Sequence, residues 1–309
     1  MTKKGNTLSM HTMEQVIKDF LENSKLKEST FSRYSFICER HIIPYFEGIA
    51  IKKISNEMIK NFVQYKLENG GLKGKSLSPK TVNDITCLLL QIVKRYCKIE
   101  LNINKPSYKQ SEISVFSESE YRKLKTYLSM GTDSKKLGII VAMLTGVRIG
   151  ELCAIKWENI DLNAGIISIT KTIQRVKNIK GKARTKIIID TPKSKASIRT
   201  IPIPAILLNI LTNFKANGNT YLLTNTPDYI EPRVYLRYFK DYLQACELKD
   251  NKFHAIRHTF ATMAVEKEID IKTLSILLGH SDVSFTMKRY VHPNMEHKRI
   301  QIEKLAIGF

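Results

Sequence analysis

Four short segments in the second half of the chain carry residue types suited to chemistry on phosphate. The first runs Thr145-Gly146-Val147-Arg148-Ile149-Gly150-Glu151-Leu152. The second is Pro192-Lys193-Ser194-Lys195, leading to Arg199-Thr200-Ile201-Pro202. The third is His254-Ala255-Ile256-Arg257-His258-Thr259-Phe260-Ala261-Thr262. The fourth is Leu277-Leu278-Gly279-His280-Ser281, with Tyr290 ten positions beyond His280. Arg148 and Arg257 suit an anion, because a guanidinium fork grips phosphate through two hydrogen bonds and keeps its charge. A lysine can deliver a proton where arginine cannot, since its pKa is movable. Taken singly, each residue also has a plainer role. Arg148, ahead of a helix, could cap it or form an ion pair. His280 could close a helix C-terminus, where a cation favours the dipole. Tyr290 is one of 13 tyrosines. His254 and His258, four apart, could suggest a metal pair, but the intervening glutamate of a zincin is missing and no third ligand is evident. No metal or other cofactor is expected, and His258 reads as a residue packed or hydrogen-bonded inside the fold.

The elements that must position these residues follow from periodicity and caps. Thr12 with Gln15 makes a capping box, and Val16, Ile17, Phe20 and Leu21 form an apolar face behind it. A second helix begins near Ser29 and stops before Pro44. A third covers roughly Asn56 to Leu67. A Gly/Lys loop containing Lys73 and Lys75 precedes Ser78-Pro79, which opens a fourth through Tyr96. Residues 10–102 therefore read as one helical domain, and 103–114, aperiodic and polar around Pro106, as a linker. Residues 115–309 form a second domain that starts with the capping box Ser117–Glu120. Its helices fall near 118–129, 134–145, 204–215, 232–246, 254–266, 271–278, 285–290 and 294–305. Between them, β-branched runs at 166–176, 186–190 and 197–203 predict a small antiparallel sheet. The fold class is mainly α with that small antiparallel β-sheet.

Bulk composition narrows the partners. The 309 residues suffice for two domains, and 43% hydrophobic with 26% charged residues is an ordinary globular balance. Fifty Lys+Arg against 29 Asp+Glu give +21, an excess that points to a polyanion, because Lys and Arg release the counterions condensed on phosphates. A membrane surface or an acidic protein could also use it. Residues 1–112 carry 19 basic and 11 acidic side chains, so both halves are basic and both should touch a nucleic-acid partner. Ten Lys/Arg against Asp190 alone crowd residues 164–202, among them Lys171, Arg175, Lys177, Lys195 and Arg199. Such a run is a solvated face or a track for a phosphate backbone. The five cysteines lack CxxC spacing and read as reduced thiols, neither a disulfide frame nor a zinc site. No signal peptide and no run of ~18 apolar residues is present, so a cytoplasmic location and no membrane partner are expected.

Together the four segments resemble the tyrosine recombinase family, which includes phage and conjugative-element integrases and the Xer enzymes. Each segment alone is weak; four in this order are specific, and the likeness spans essentially the whole chain. The resemblance implies an N-terminal SAM-like core-binding domain and a C-terminal mixed α/β catalytic domain. It implies a metal-independent enzyme that cleaves and rejoins double-stranded DNA through a 3′-phosphotyrosyl bond on Tyr290. That bond conserves the energy a second DNA end needs to reverse the attack. By the same resemblance Arg148 and Arg257 clamp the scissile phosphate, and Lys193 protonates the departing 5′ oxygen, with Lys195 its rival. His254 and His280 assist proton movement, and Glu151 orients the site. Lys73, Lys75, Lys171, Arg175, Lys177, Lys195 and Arg199 are candidate DNA contacts.

A homotetramer on DNA is implied as well, with a C-terminal helix around Ile300, Ile302 and Leu305 docking on a neighbour or packing on its own domain. A directionality factor or DNA-bending protein would suit integration or excision of a mobile element. About ten residues precede the first helix, so no separate arm-binding domain is expected. An Xer-type dimer-resolution enzyme, a type IB topoisomerase and a noncatalytic DNA-binding regulator on the same fold are the alternatives. The DNA sequence recognised is not readable from one chain.

Overall fold

Thr12 opens α1 (Met13–Asn23) through the reciprocal bonds with Gln15 that its spacing predicts, a cap worth about 1 kcal/mol. The computed structural model describes residues 11–97, 100–108, 113–179, 181, 183–192, 194–216, 218–291, 295, 299 and 302–303. After α1 come α2 (Glu28–Ile37), α3 (Asn56–Asn69) and α4 (Pro79–Tyr96). Beyond α2 the chain continues as a π-helical turn, Cys38–Ile42, before Pro44 ends it. Ser78 caps α4 with Pro79 at its first position. The core beneath these helices is built from Phe20, Ile42, Phe46, Phe62, Leu89 and Ile92, each buried.

The chain divides into two compact units. The first contains residues through Ser111 and also takes in Val176–Lys186; the second contains Glu112–Arg175 and Ile187 onward. Leu101, within the expected helical domain 10–102, and Ile103, the first residue of the expected linker 103–114, both pack on the first unit's core.

The second unit begins with α5 (Glu118–Ser129), again opened by a capping box, from Ser117 and Glu120. Next along the chain come α6 (Ser134–Thr145), the single-turn α7 (Ile149–Leu152), β1 (Ile160–Asp161), β2 (Ile166–Ile169), β3 (Thr172–Lys177), β4 (Thr185–Asp190) and β5 (Arg199–Pro202), of which the last two residues of β3 and the first two of β4 belong to the first unit. Five helices close it: α8 (Ala205–Phe214), α9 (Pro232–Ala245), α10 (His254–Glu266), α11 (Ile271–Leu278) and α12 (Val283–Tyr290). The single sheet expected from the β-branched runs is two sheets. One is antiparallel in the order β1-β2-β5, with Ile167 opposite Ile201 and Ile169 opposite Arg199; the other pairs β3 with β4. The β-branched run 166–176 is thus broken after Ile169, each half serving a different sheet. α7 approaches β3 closely: a Cβ on Gly150 would lie 2.7 Å from the Ile173 carbonyl. The helix expected at 294–305 lies largely outside the described residues.

Candidate active site

Two helix ends frame the site. α6 ends at Gly146 (φ +65°) and α11 at Gly279 (φ +64°), each in the left-handed conformation that stops a helix. Arg148 and His280 follow these two glycines closely, so two helix C-termini present them. Neither glycine has room for a side chain. A Cβ would meet a Phe260 ring carbon at 2.6 Å in the first case and Arg199 Nη1 at 3.0 Å in the second.

The last carbonyls of a helix have no partner within it. In α11 they receive three arginines. Arg199 Nε donates to the Leu277 oxygen at 2.6 Å, Arg257 Nη2 to Leu278, and Arg148 Nη2 reaches the Gly279 oxygen at 3.4 Å. Arg257 Nη1 also donates to the Gly146 oxygen at 2.7 Å, so one guanidinium ties the ends of α6 and α11 together. Favourable attraction between cations and a helix C-terminus offsets part of the repulsion among them.

Glu151 is the carboxylate at the centre. It accepts from Arg148 Nη1 at 2.7 Å, from the Arg148 backbone N–H at 3.0 Å and from Arg199 Nη2 at 3.0 Å. Burial raises its carboxyl pKa, but the bonds and charges of Arg199 and Arg148 outweigh burial and hold it below the usual range. Arg257 receives no carboxylate among the ion pairs of the described residues. Burial, then Arg148, lowers it to about 9, so it stays charged at neutral pH. Three guanidinium groups around one carboxylate leave a surplus of positive charge, with Arg148 still partly open to solvent.

α10 supplies His254, Arg257 and His258 at spacings of three and four residues, which share one helix face. His280 Nε2 lies 3.0 Å from Arg257 Nη2, and its Nδ1 lies 2.7 Å from Thr286 Oγ1. Arginine can only donate, so Nε2 accepts and Nδ1 carries the hydrogen that is given to Thr286. Desolvation first, then the surrounding arginines, lowers His280 to about 3 and His254 to about 4. His254 keeps an exposed edge at the start of α10.

Tyr290, the last residue of α12, is 8% exposed, and its hydroxyl sits 2.6 Å from His258 Nδ1. Burial raises its phenol above the ordinary value, while Arg257, Arg289 and Arg148 pull it down. His258 was expected to pack or hydrogen-bond in the interior; its partner is the hydroxyl of Tyr290. Its spacing from His254 and its place after Arg257 were the available signals, and neither pointed across to α12.

The other predicted residues are placed variously. Lys193 lies outside the described residues, while Lys195 is exposed in the turn just beyond it, and Lys171 is exposed ahead of β3. Arg175 is joined to Glu231 by two bonds of 2.5 Å. Within the first unit, Lys177 pairs with Glu39 while its carbonyl accepts from Ser32. Lys73 and Lys75 are exposed in a short turn. Arg199, expected as a DNA contact, is instead buried, with its guanidinium bonded to Glu151 and to the Leu277 carbonyl. Strand alternation could have shown this, since Arg199 shares a face with buried Ile201.

Among the described residues, no cluster of three or more His, Cys, Asp or Glu is placed to hold a metal, and no helix is long and apolar enough to cross a membrane.

Known proteins give the arrangement its context. Residues 114–297 match the model of the phage integrase family, and residues 12–67 match the phage integrase N-terminal SAM-like domain. A XerC-like tyrosine recombinase of Caldanaerobacter subterraneus subsp. tengcongensis is 31% identical, over 84% of this chain and 67% of that protein. The ICEBs1 integrase of Bacillus subtilis is 23% identical, over 98% and 84%. In fold, the chain is similar to the Tn1549 transposon integrase in complex with transposon right-end DNA. That likeness has a TM-score of 0.75 at 18% identity, over 96% of this chain and 100% of the other.

Proposed function

Because the chain belongs to the phage integrase family of tyrosine recombinases, we propose that Tyr290 is the nucleophile with which it cuts and rejoins double-stranded DNA. The observation that carries this reading is the pairing of a buried tyrosine with an excess of guanidinium charge in one catalytic unit. Arg148 and Arg257 are the cations that receive the nonbridging oxygens of the scissile phosphate, where charge accumulates in the transition state. Glu151, through Arg199 and Arg148, keeps that clamp in shape.

In the forward step the Tyr290 oxygen bonds to phosphorus and the bond from phosphorus to the 5′ oxygen breaks. The phenolic proton leaves the tyrosine, and the departing 5′ oxygen takes up a proton, for which Lys193 is the proposed donor. His254 and His280 line the phosphate. The reverse attack by a 5′ hydroxyl from a second strand completes exchange, with no net consumption of bond energy. Lys73, Lys75, Lys171 and Lys195, all exposed, are the proposed backbone contacts, which position the protein without reading sequence. Integration or excision of a mobile element, by four protomers on DNA and with a directionality factor or bending protein, is the proposed setting. Its support is the similarity to element-borne integrases.

Wild-type protein incubated with nicked duplexes from the element's ends should form a denaturant-stable protein–DNA adduct. Tyr290→Phe should form none. Undiminished adduct from Tyr290→Phe would refute the assignment.

A further inference from the structure

The nucleophile is not alone in its pocket. Three histidines stand near the guanidinium cluster, and their bonds distinguish them. His280 has both ring nitrogens engaged, one by Arg257 and the other by Thr286. His254 stands at the first position of α10 with its ring centre 4.6 Å from that of His258. His258 alone among the three has a ring nitrogen within hydrogen-bond distance of the Tyr290 hydroxyl. Both residues are held in place by helices packed on each other, α10 and α12, with Tyr290 in an apolar cluster with Ala261, Ala264, Leu274 and Leu278.

Resting on the recombinase reading above, we propose that His258 is a further catalytic residue, the base that takes the phenolic proton from Tyr290. With its own hydrogen on Nε2, the His258 ring presents a lone pair at Nδ1 to the Tyr290 hydroxyl. As the bond from the tyrosine oxygen to phosphorus forms and the bond to the 5′ oxygen breaks, the proton passes to Nδ1. On religation the 5′ hydroxyl attacks, the tyrosine–phosphorus bond breaks, and His258 returns that proton to the tyrosine oxygen. No other reactant is required, because each proton taken in one direction is returned in the other.

Desolvation, then His254, Arg289 and Arg257, lowers His258 to about 4, so the ring is neutral and able to accept at neutral pH. A base of that strength is a weak proton acceptor in the free protein. An anionic phosphate bound beside it favours its protonated form, which raises its basicity at the moment of attack.

The test measures single-turnover adduct formation on nicked duplexes from the element's ends, made with either an ordinary 5′-bridging oxygen or a 5′-bridging sulfur. The sulfur leaves without a proton, so this substrate removes the need for an acid and reports the base alone. His258→Ala should slow adduct formation about 100-fold on both substrates, the scale of one general base. His258→Asn, which offers a hydrogen-bonding atom near the Nδ1 position but no usable proton acceptor, should be similarly slow and should fold normally. Lys193→Ala should be slow with oxygen and restored with sulfur. The inference is overturned if His258→Ala stays within about threefold of wild type, or if His258→Asn matches wild type, since hydrogen bonding would then suffice without proton transfer. If wild type forms no adduct while intact DNA is bound, the recombinase reading fails, and this inference with it. If wild type reacts and both His258 variants match it, the inference fails alone.

Discussion

Glu151 is the residue on which the cationic cluster depends, because Arg148 and Arg199 each donate a guanidinium hydrogen bond to it. Glu151→Gln keeps the shape but removes the charge, leaving buried Arg199 without a counterion. Breaking a buried pair in this way costs about 3 kcal/mol. Urea unfolding at neutral pH should show that loss, and a midpoint unchanged from wild type would contradict the placement. The histidines set a second dependence. His254 and His258 fall to about 4 and His280 to about 3 in the folded protein, from an unfolded value of about 6.5. The unfolded chain binds more protons between those values, so stability is full above about 6.5 and declines as pH falls towards 4. Glu151, with its lowered carboxyl, adds a further loss below the ordinary carboxylate range. Melting temperature should therefore drop on acidification before most carboxylates titrate, and His280→Asn should flatten that drop.

Helix ends, more than helix bodies, make the site. The three arginines are gathered because the last carbonyls of α11 need donors and because Gly279 turns the chain away without a Cβ. Gly279→Ala would force a side chain into the left-handed region and against Arg199, costing about 1–2 kcal/mol from the backbone alone. The expected result is a modest loss of stability with a much larger loss of adduct formation, since Arg199, His280 and the Arg148 contact move together. Equal, small losses in both would show that this helix end does not set the geometry. Much of this level was legible in the sequence. Capping boxes at Thr12 and Ser117 and the limits of α5, α6, α10 and α11 follow from local chemistry that tertiary packing did not override. The division of the 166–176 run between two sheets was not legible, because nothing in a β-branched run says which neighbour each half will meet.

Across the whole molecule, charge and motif order identify the class of chemistry, while pairing across the fold decides who does it. The bonds from Tyr290 to His258, 32 positions away, and from Arg199 to Glu151, 48 positions away, join residues that no local spacing connects. The charge surplus likewise indicated a polyanion but not which cations are free for it: Arg175 and Lys177 are engaged by Glu231 and Glu39. Covalent attachment of DNA to Tyr290 is read out by mass spectrometry of a trapped, nuclease-trimmed adduct. One nucleotide-bearing peptide is expected, modified at Tyr290 and joined to a 3′ phosphate. A modification at any other residue, or a 5′-phosphate linkage, would contradict it.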